Sequence, residues 1–426
     1  MKNLNVDEKK SKKMMIFIAA CIGWIHDAFN LTIITFLATD IQEEFGINNL
    51  QMGWIFSGQF IATFVGAIVF GSLGDRLGRK PSLIYSVLWD AIVTSLSAFA
   101  PNYWFLLTLR CISGMGVSWG IGYTLVSEVW GKTPKRRGLA GGLLHSTFLI
   151  GFIMSSIISS LILPLALPFG SWRYCFLFTL FPIPLLVLFQ FKMKESDVMT
   201  KYKESIKKQG KKIRKVPILN IFKKKKQLKY LIFSMLLLWF SQVVYHNLID
   251  FGPTYFEVLG NESLGRTMTT VVGGLAALII IAFGALSDKI GRRNSFFISS
   301  IITLISTIVF AIYANSLMMN GIIIAYLIFG LGQGNAGVQG VWLTEMFSTG
   351  ERASTSSTAF SFARGFALSG IIIGSLSDYL TSIGYSASLG LGIAMSISVF
   401  FAIPLCILPW FLPETKGIEI KSVDED

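Results

Sequence analysis

Apolar residues run along this chain in blocks of about twenty, the length that carries a helix across roughly 30 Å of hydrocarbon. Six blocks fall at 14–39, 50–72, 81–99, 103–127, 139–163 and 172–191, and six more at 230–257, 267–287, 294–313, 319–343, 353–377 and 388–411. The pattern predicts an all-α membrane protein of twelve transmembrane helices in two six-helix halves, 14–191 and 230–411. A tail at 1–13, a linker at 192–229 and a tail at 412–426 are left outside the membrane. The first block is read as helix 1 and not as a cleaved signal, because it is long, carries Asp27 and lacks a small-residue cleavage site.

Composition sharpens this reading. With 53% hydrophobic and 14% charged residues, the 426-residue chain is too apolar for a soluble enzyme of its size. The net charge of +13 comes almost wholly from the linker, where 192–229 holds 15 basic and 3 acidic residues. A basic loop of this kind belongs against anionic headgroups, so lipid and not nucleic acid is the expected partner. If the N-terminus is cytoplasmic, 33 of the 37 Lys and Arg fall in cytoplasmic segments, with Arg173 and Arg266 alone in the outer loops. The positive-inside rule then places both termini in the cytoplasm of a multi-pass plasma-membrane protein. The cysteines Cys21, Cys111, Cys175 and Cys406 lie inside spans without a shared spacing, which suggests neither a disulfide nor a metal site.

The string GSLGDRLGRK at 71–80 returns as GALSDKIGRR at 284–293, each copy at the end of an apolar span. The repeat resembles the loop between helices 2 and 3 of the major facilitator superfamily, which recurs between helices 8 and 9. That resemblance implies two parallel halves around a midplane site, opened to each side in turn by rocking. It also implies a gating network at the cytoplasmic face. The candidates are Asp75, Arg79, Glu128 and Arg137 in the first half and Asp288, Arg292, Glu345 and Arg352 in the second. Glu128 is matched with Arg136 or Arg137, and Glu345 with Arg352. Glycines around 114–122 and 330–340 read as packing positions.

Ionisable groups inside hydrocarbon are few and face a cavity or a partner. Helix 7 carries Gln242, His246, Asp250 and Thr254 at every fourth position, a single polar stripe. With Asn247 beside it, this segment resembles the helix-7 signature of fungal lactate and pyruvate permeases, departing at Gln242 and Ile249. Arg364 in SFARGFALSG resembles the helix-11 arginine of aromatic-acid symporters and organic-anion transporters, where it is implicated in holding a carboxylate; a structural pair with Asp27 or Asp250 is the alternative. Asp27 in GWIHDAFN, with His26 and Asn30, resembles the D-G-F-D of sialate and aromatic-acid proton symporters. Arg110, in R-x-x-x-G-x-G on helix 4, matches the arginine that modulates that acid. Asp27 and Arg110 are thus the candidates for proton coupling. The substrate candidates are Arg364, His246, Asp250, Gln242, Thr254, Asn247, His26 and Asn30. His145 and Asp90 read as satisfied packing residues.

Together these residues point to proton-coupled symport of a small organic monocarboxylate by a monomer, with no cofactor beyond the proton gradient and no metal. The PETKG string at 413–417 resembles the sugar-porter ending, so a sugar or sialate symporter is the alternative. An enzyme has no support, since no nucleophile, metal cluster or phosphate loop is found.

Overall fold

Helix ends in this chain are set by glycine, proline and side-chain caps between the apolar runs. The computed structural model describes residues 6–130, 136–210, 216–366 and 368–420; the KKIRK stretch of the basic linker at 211–215 lies outside the described residues. The first half contains helix 1 (Val6–Phe36), helix 2 (Asn49–Leu77), helix 3 (Arg79–Leu96), helix 4 (Tyr103–Gly114 and Trp119–Val129), helix 5 (Arg137–Ile162) and helix 6 (Ser171–Leu177 and Ile183–Lys192). The second contains helix 7 (Lys225–Ile249, then Gly252–Val258), helix 8 (Glu262–Ile290), helix 9 (Arg292–Asn315), helix 10 (Met319–Gly332 and Gly334–Met346), helix 11 (Arg352–Gly365 and Ser369–Ser382) and helix 12 (Ala387–Ser396 and Ser398–Ile407). Ten of the described helices are long and apolar enough to cross a membrane. Helices 6 and 11 complete the twelve as interrupted spans. Pro182 and Pro184 break the first, and Leu368 in a left-handed conformation precedes the second piece of helix 11.

The duplicated loops show why their sequence is constrained. Gly78 and Gly291 join helix 2 to 3 and helix 8 to 9 with φ of +118° and +103°, a region closed to side chains. A carboxylate then caps each following helix. Glu195, just past helix 6, accepts from the Lys80 N–H at 3.2 Å. Glu414, just past helix 12, accepts from the N–H groups of Arg292 at 2.9 Å and Arg293 at 3.1 Å. The PETKG string is therefore a structural counterpart of Lys194-Glu195-Ser196 in the other half, and it bears on the substrate only through the fold. Burial pushes the Glu195 carboxyl above its ordinary range, while the Ser196 N–H it accepts opposes that rise.

The halves meet where backbones can touch. A Cβ on Gly138 would sit 2.3 Å from the Gly284 carbonyl oxygen, and one on Gly284 would sit 2.6 Å from that of Gly138, so helices 5 and 8 cross without side chains between them. Helices 2 and 11 form the matching contact on the other side of the pseudo-two-fold axis.

Losing either capping carboxylate should cost about 1 kcal/mol. Glu195→Ala and Glu414→Ala are each expected to lower the melting temperature of the detergent-purified protein by similar amounts; a wild-type melting curve for both would show that the caps do not hold these helices.

Candidate functional site

At the end of the bundle that carries the duplicated loops, eight charged side chains form two mirrored clusters. Asp75 accepts from the N–H groups of Ala353 at 3.0 Å and Ser354 at 2.8 Å, the first turn of helix 11. Arg79 pairs with Asp75 at 2.5 Å and Glu128 at 3.0 Å and donates to the Thr349 carbonyl. Arg352 reaches across to Glu128 at 3.1 Å. In the mirror cluster, Asp288 accepts from the N–H groups of Gly138 at 2.8 Å and Leu139 at 3.0 Å. Arg292 pairs with Asp288 and Glu345, and Arg137 with Glu345 at 2.6 Å. The partners expected within each half are thus exchanged: Glu128 meets Arg352, and Glu345 meets Arg137. The pseudo-two-fold packing sets the end of helix 4 against the start of helix 11, and the end of helix 10 against the start of helix 5. These side chains are buried, so this end is closed.

Above the closed end, Trp119 of helix 4 stacks on Phe360 of helix 11, ring centroids 3.9 Å apart and planes 6° from parallel. Trp24 packs edge-on to both. This aromatic floor underlies a small cavity between the halves, lined by Trp24, Asp27, Asn30, Gln59, Asp90, Trp119, Phe360 and Arg364 among others. Past the cavity, the second piece of helix 11 packs chiefly on helices 7 and 12.

Arg364 is the exceptional cation of the cavity. Its guanidinium lies over the rings of Phe60 at 5.1 Å and Phe148 at 5.6 Å, and among the described residues no carboxylate pairs with it. Asp27 leads the opposing charges that act on it without touching it; Asp250 is taken up by His246 at 2.8 Å.

Asp27 accepts through Oδ2 from the Ser118 hydroxyl at 2.8 Å and the Ser118 N–H at 3.2 Å, and its Oδ1 has no partner. Arg110 does not pair with it. That guanidinium is clamped by the Asn30 side chain at 2.7 Å, the Asn30 carbonyl at 2.7 Å and Gln59 Oε1 at 2.6 Å. The Asn30 amide donates to Asp90, and Thr94 donates to Asn30. His26 stands behind Asp27, its Nδ1 at 3.3 Å from Asp90 Oδ2.

The structure therefore brings Asp27, Asn30, Arg364 and Asp90 to one cavity, with Arg110 and His26 immediately behind. It separates the helix-7 residues from them. Asn247 faces helix 12 and donates to Ser398, and Thr254 is exposed beyond the break at Asp250–Phe251. Neither Gln242, His246 nor Asp250 lines the cavity, and His246 packs edge-on against Phe60 outside it. Asp90 is the residue that sequence reasoning set aside. Its signal is a helix-3 stripe, Ser82, Ser86, Asp90 and Thr94 at every fourth position, all four buried. His145 Nδ1 is hydrogen-bonded with the Tyr123 hydroxyl at 2.8 Å, a satisfied packing role.

The profile described as Major Facilitator Superfamily matches residues 16–372. The chain is 26% identical over 426 residues to the sialic acid transporter NanX of Escherichia coli, covering 96% of this chain and 95% of that one. It is 24% identical to the cis,cis-muconate transport protein of Acinetobacter baylyi, covering 90% and 91%. Among solved structures, the proton:xylose symporter XylE bound to 6-bromo-6-deoxy-D-glucose superposes with a TM-score of 0.79 at 16% identity, over 97% of this chain and 98% of that one.

Breaking a buried ion pair from one side costs about 3–5 kcal/mol, enough to reverse a conformational equilibrium of a few kcal/mol. Glu128→Gln combined with Glu345→Gln should therefore open the closed end. A cysteine placed at Ser357 in a cysteine-free background should then react with maleimide about tenfold faster or more, and an unchanged rate would remove the clusters from gating.

Proposed function

The chain belongs to the Major Facilitator Superfamily and is an integral membrane transporter; on that premise we propose that it takes up a small organic monocarboxylate together with a proton. The observation that carries this reading is Arg364. A guanidinium held between two aromatic faces in a membrane cavity, with no carboxylate paired to it, offers a planar fork that a substrate carboxylate completes. The anion removes the burden of an unpaired buried charge, so binding energy is concentrated at this contact. cis,cis-Muconate, named for one relative, is a small organic acid with a carboxylate at each end, while sialic acid, named for the other, belongs to the second reading below.

Asp27 is the proton site of this proposal. It lines the same cavity and keeps one carboxylate oxygen free, while Ser118 holds the other. Arg110 reaches Asp90 through Asn30 and makes no contact with Asp27. An anion arriving at Arg364 withdraws the positive charge that opposes Asp27, which favours a proton on Asp27 in the same step. Net charge in the cavity is then unchanged when anion and proton enter together.

By the distribution of Lys and Arg, the closed end faces the cytoplasm of the plasma membrane. The cavity then opens outward, the state that accepts substrate from outside. Gln242, His246 and Asp250 lie outside the cavity, so a substrate contact for them requires helix 7 to move. The aromatic floor of Trp24, Trp119 and Phe360 favours a second reading, a sugar or sialate proton symporter in which a ring stacks on that floor.

Proteoliposomes with an inward proton gradient are expected to accumulate labelled lactate, with pyruvate, acetate and benzoate competing. Arg364→Ala should lower uptake at least about a hundredfold, the scale of a lost charge-assisted hydrogen-bond pair, and Arg364→Lys should recover part of it. Competition by glucose, galactose or sialate, with the small acids inert, would replace this reading by the second. Wild-type uptake by Arg364→Ala would remove the carboxylate contact.

A further inference from the structure

His26 faces two acceptors. Its Nε2 lies 3.1 Å from the Thr179 carbonyl oxygen, which can only accept, so Nε2 carries a hydrogen. In the neutral ring Nδ1 is then a bare lone pair. That atom has no hydrogen-bond partner and lies 3.3 Å from Asp90 Oδ2. Two lone pairs at that distance inside a membrane repel unless something positive lies between them. A proton fills the gap either as an imidazolium N–H or as a carboxyl O–H. The other oxygen of Asp90 already accepts from Asn30 and Thr94, so it cannot turn away to relieve the contact.

Asp90 lines the cavity and His26 sits directly behind it. One ligand atom from each of His26, Asp27 and Asp90 falls in a group whose members lie within 4.8 Å of one another. Asp27 is 5% exposed, and its Oδ1 is unpartnered. The titratable and charged groups that face the pair are Asp27 on helix 1 and Arg110 on helix 4. Helices 2, 3 and 6 present the uncharged Gln59, Thr94 and Thr179 around them. Arg364 on helix 11 acts on Asp27 across the cavity. With Arg110 and Arg364 charged, the two aspartates are balanced, and one further proton is what a monoanionic substrate requires.

We propose that the gap between His26 Nδ1 and Asp90 Oδ2 is a proton store behind Asp27, and that the coupling proton rests there while the transporter reorients. A proton reaching Asp27 Oδ1 from the cavity passes to the vacant lone pair in the gap, and Asp27 returns to carboxylate. On the other side of the membrane the proton retraces that path once the anion has left Arg364. Asp27 is thus the port, and the His26–Asp90 pair is the reservoir. The proposal rests on the proton-coupled reading above and adds a site to it.

Asp90→Asn tests this with little disturbance. The amide keeps an oxygen for Asn30 and Thr94, and its N–H can donate to Nδ1, so the contact survives without an exchangeable proton. Purified wild type, Asp90→Asn and His26→Gln are titrated without substrate from about pH 9 to about pH 5, with proton uptake counted by an indicator dye. Each variant should take up one proton fewer per molecule than wild type. Identical curves would overturn the store, as would a difference that follows sodium and not pH, since a metal ion would then occupy the gap. In proteoliposomes with labelled lactate, Asp90→Asn should lose accumulation driven by the proton gradient and the pH dependence of uptake. Wild-type accumulation and pH profile in Asp90→Asn would again overturn the store. Should wild type itself fail to accumulate lactate on a proton gradient, the coupled reading falls, and the substrate-free titration still decides whether the pair holds a proton.

Discussion

A charge buried between two membrane-embedded half-bundles has to find its counter-charge, and in this chain the counter-charge lies on the other half. Asp75 caps a helix of the second half, and Asp288 caps a helix of the first. Arg137 and Arg352 each cross to a glutamate opposite. Unpaired burial of such groups costs several kcal/mol, so one end of the molecule is either fully joined or fully parted. Intermediate separations leave charges without partners and without water. This two-state character is what a carrier needs, and it follows from electrostatics in a medium that cannot solvate the half-open form.

The cavity depends on that closure. With the end sealed, Trp119 and Phe360 come into face-to-face contact across the halves and cut the cavity off from the charged clusters. Polar groups above the floor are then arranged by the first half, where Asn30 links Arg110 to Asp90 and Gln59 holds the remaining guanidinium edge. The second half contributes one charge, Arg364. The division is asymmetric although the fold is symmetric: the cavity's carboxylates, Asp27 and Asp90, lie on helices 1 and 3, and its arginine, Arg364, on helix 11.

Much of this was legible in the sequence, for identifiable reasons. Twelve apolar blocks and a duplicated loop specify the fold, because each block must satisfy its own backbone in lipid and each loop needs a glycine with positive φ. Asp27, Asn30 and Arg364 were visible as polar residues in apolar surroundings. The partner exchange was not, since an internal repeat aligns Glu128 with Glu345 and Arg137 with Arg352 without saying which copy meets which. The helix-7 stripe misled because a break at Asp250–Phe251 ends its periodicity and turns Thr254 away. Asp90 was passed over although Ser82, Ser86, Asp90 and Thr94 form an equally regular stripe; the serines and threonine drew no attention beside histidine and aspartate. The capping role of Glu414 was hidden because its counterpart Glu195 lies in a string with a different neighbourhood.

The crossed caps carry an implication for how such a chain could arise. Each half presents a carboxylate that receives a helix start and a helix start that receives a carboxylate, so each is both donor and acceptor of the same contact. Surfaces with that property are self-complementary, as in an isologous dimer. Two identical six-helix units could close on one another with both clasps satisfied, and the covalent linker would add proximity but no new contact. Fusion into a single chain then frees the two copies to diverge, which is how one half could come to hold the cavity's carboxylates and the other its arginine without loosening the clasp they share.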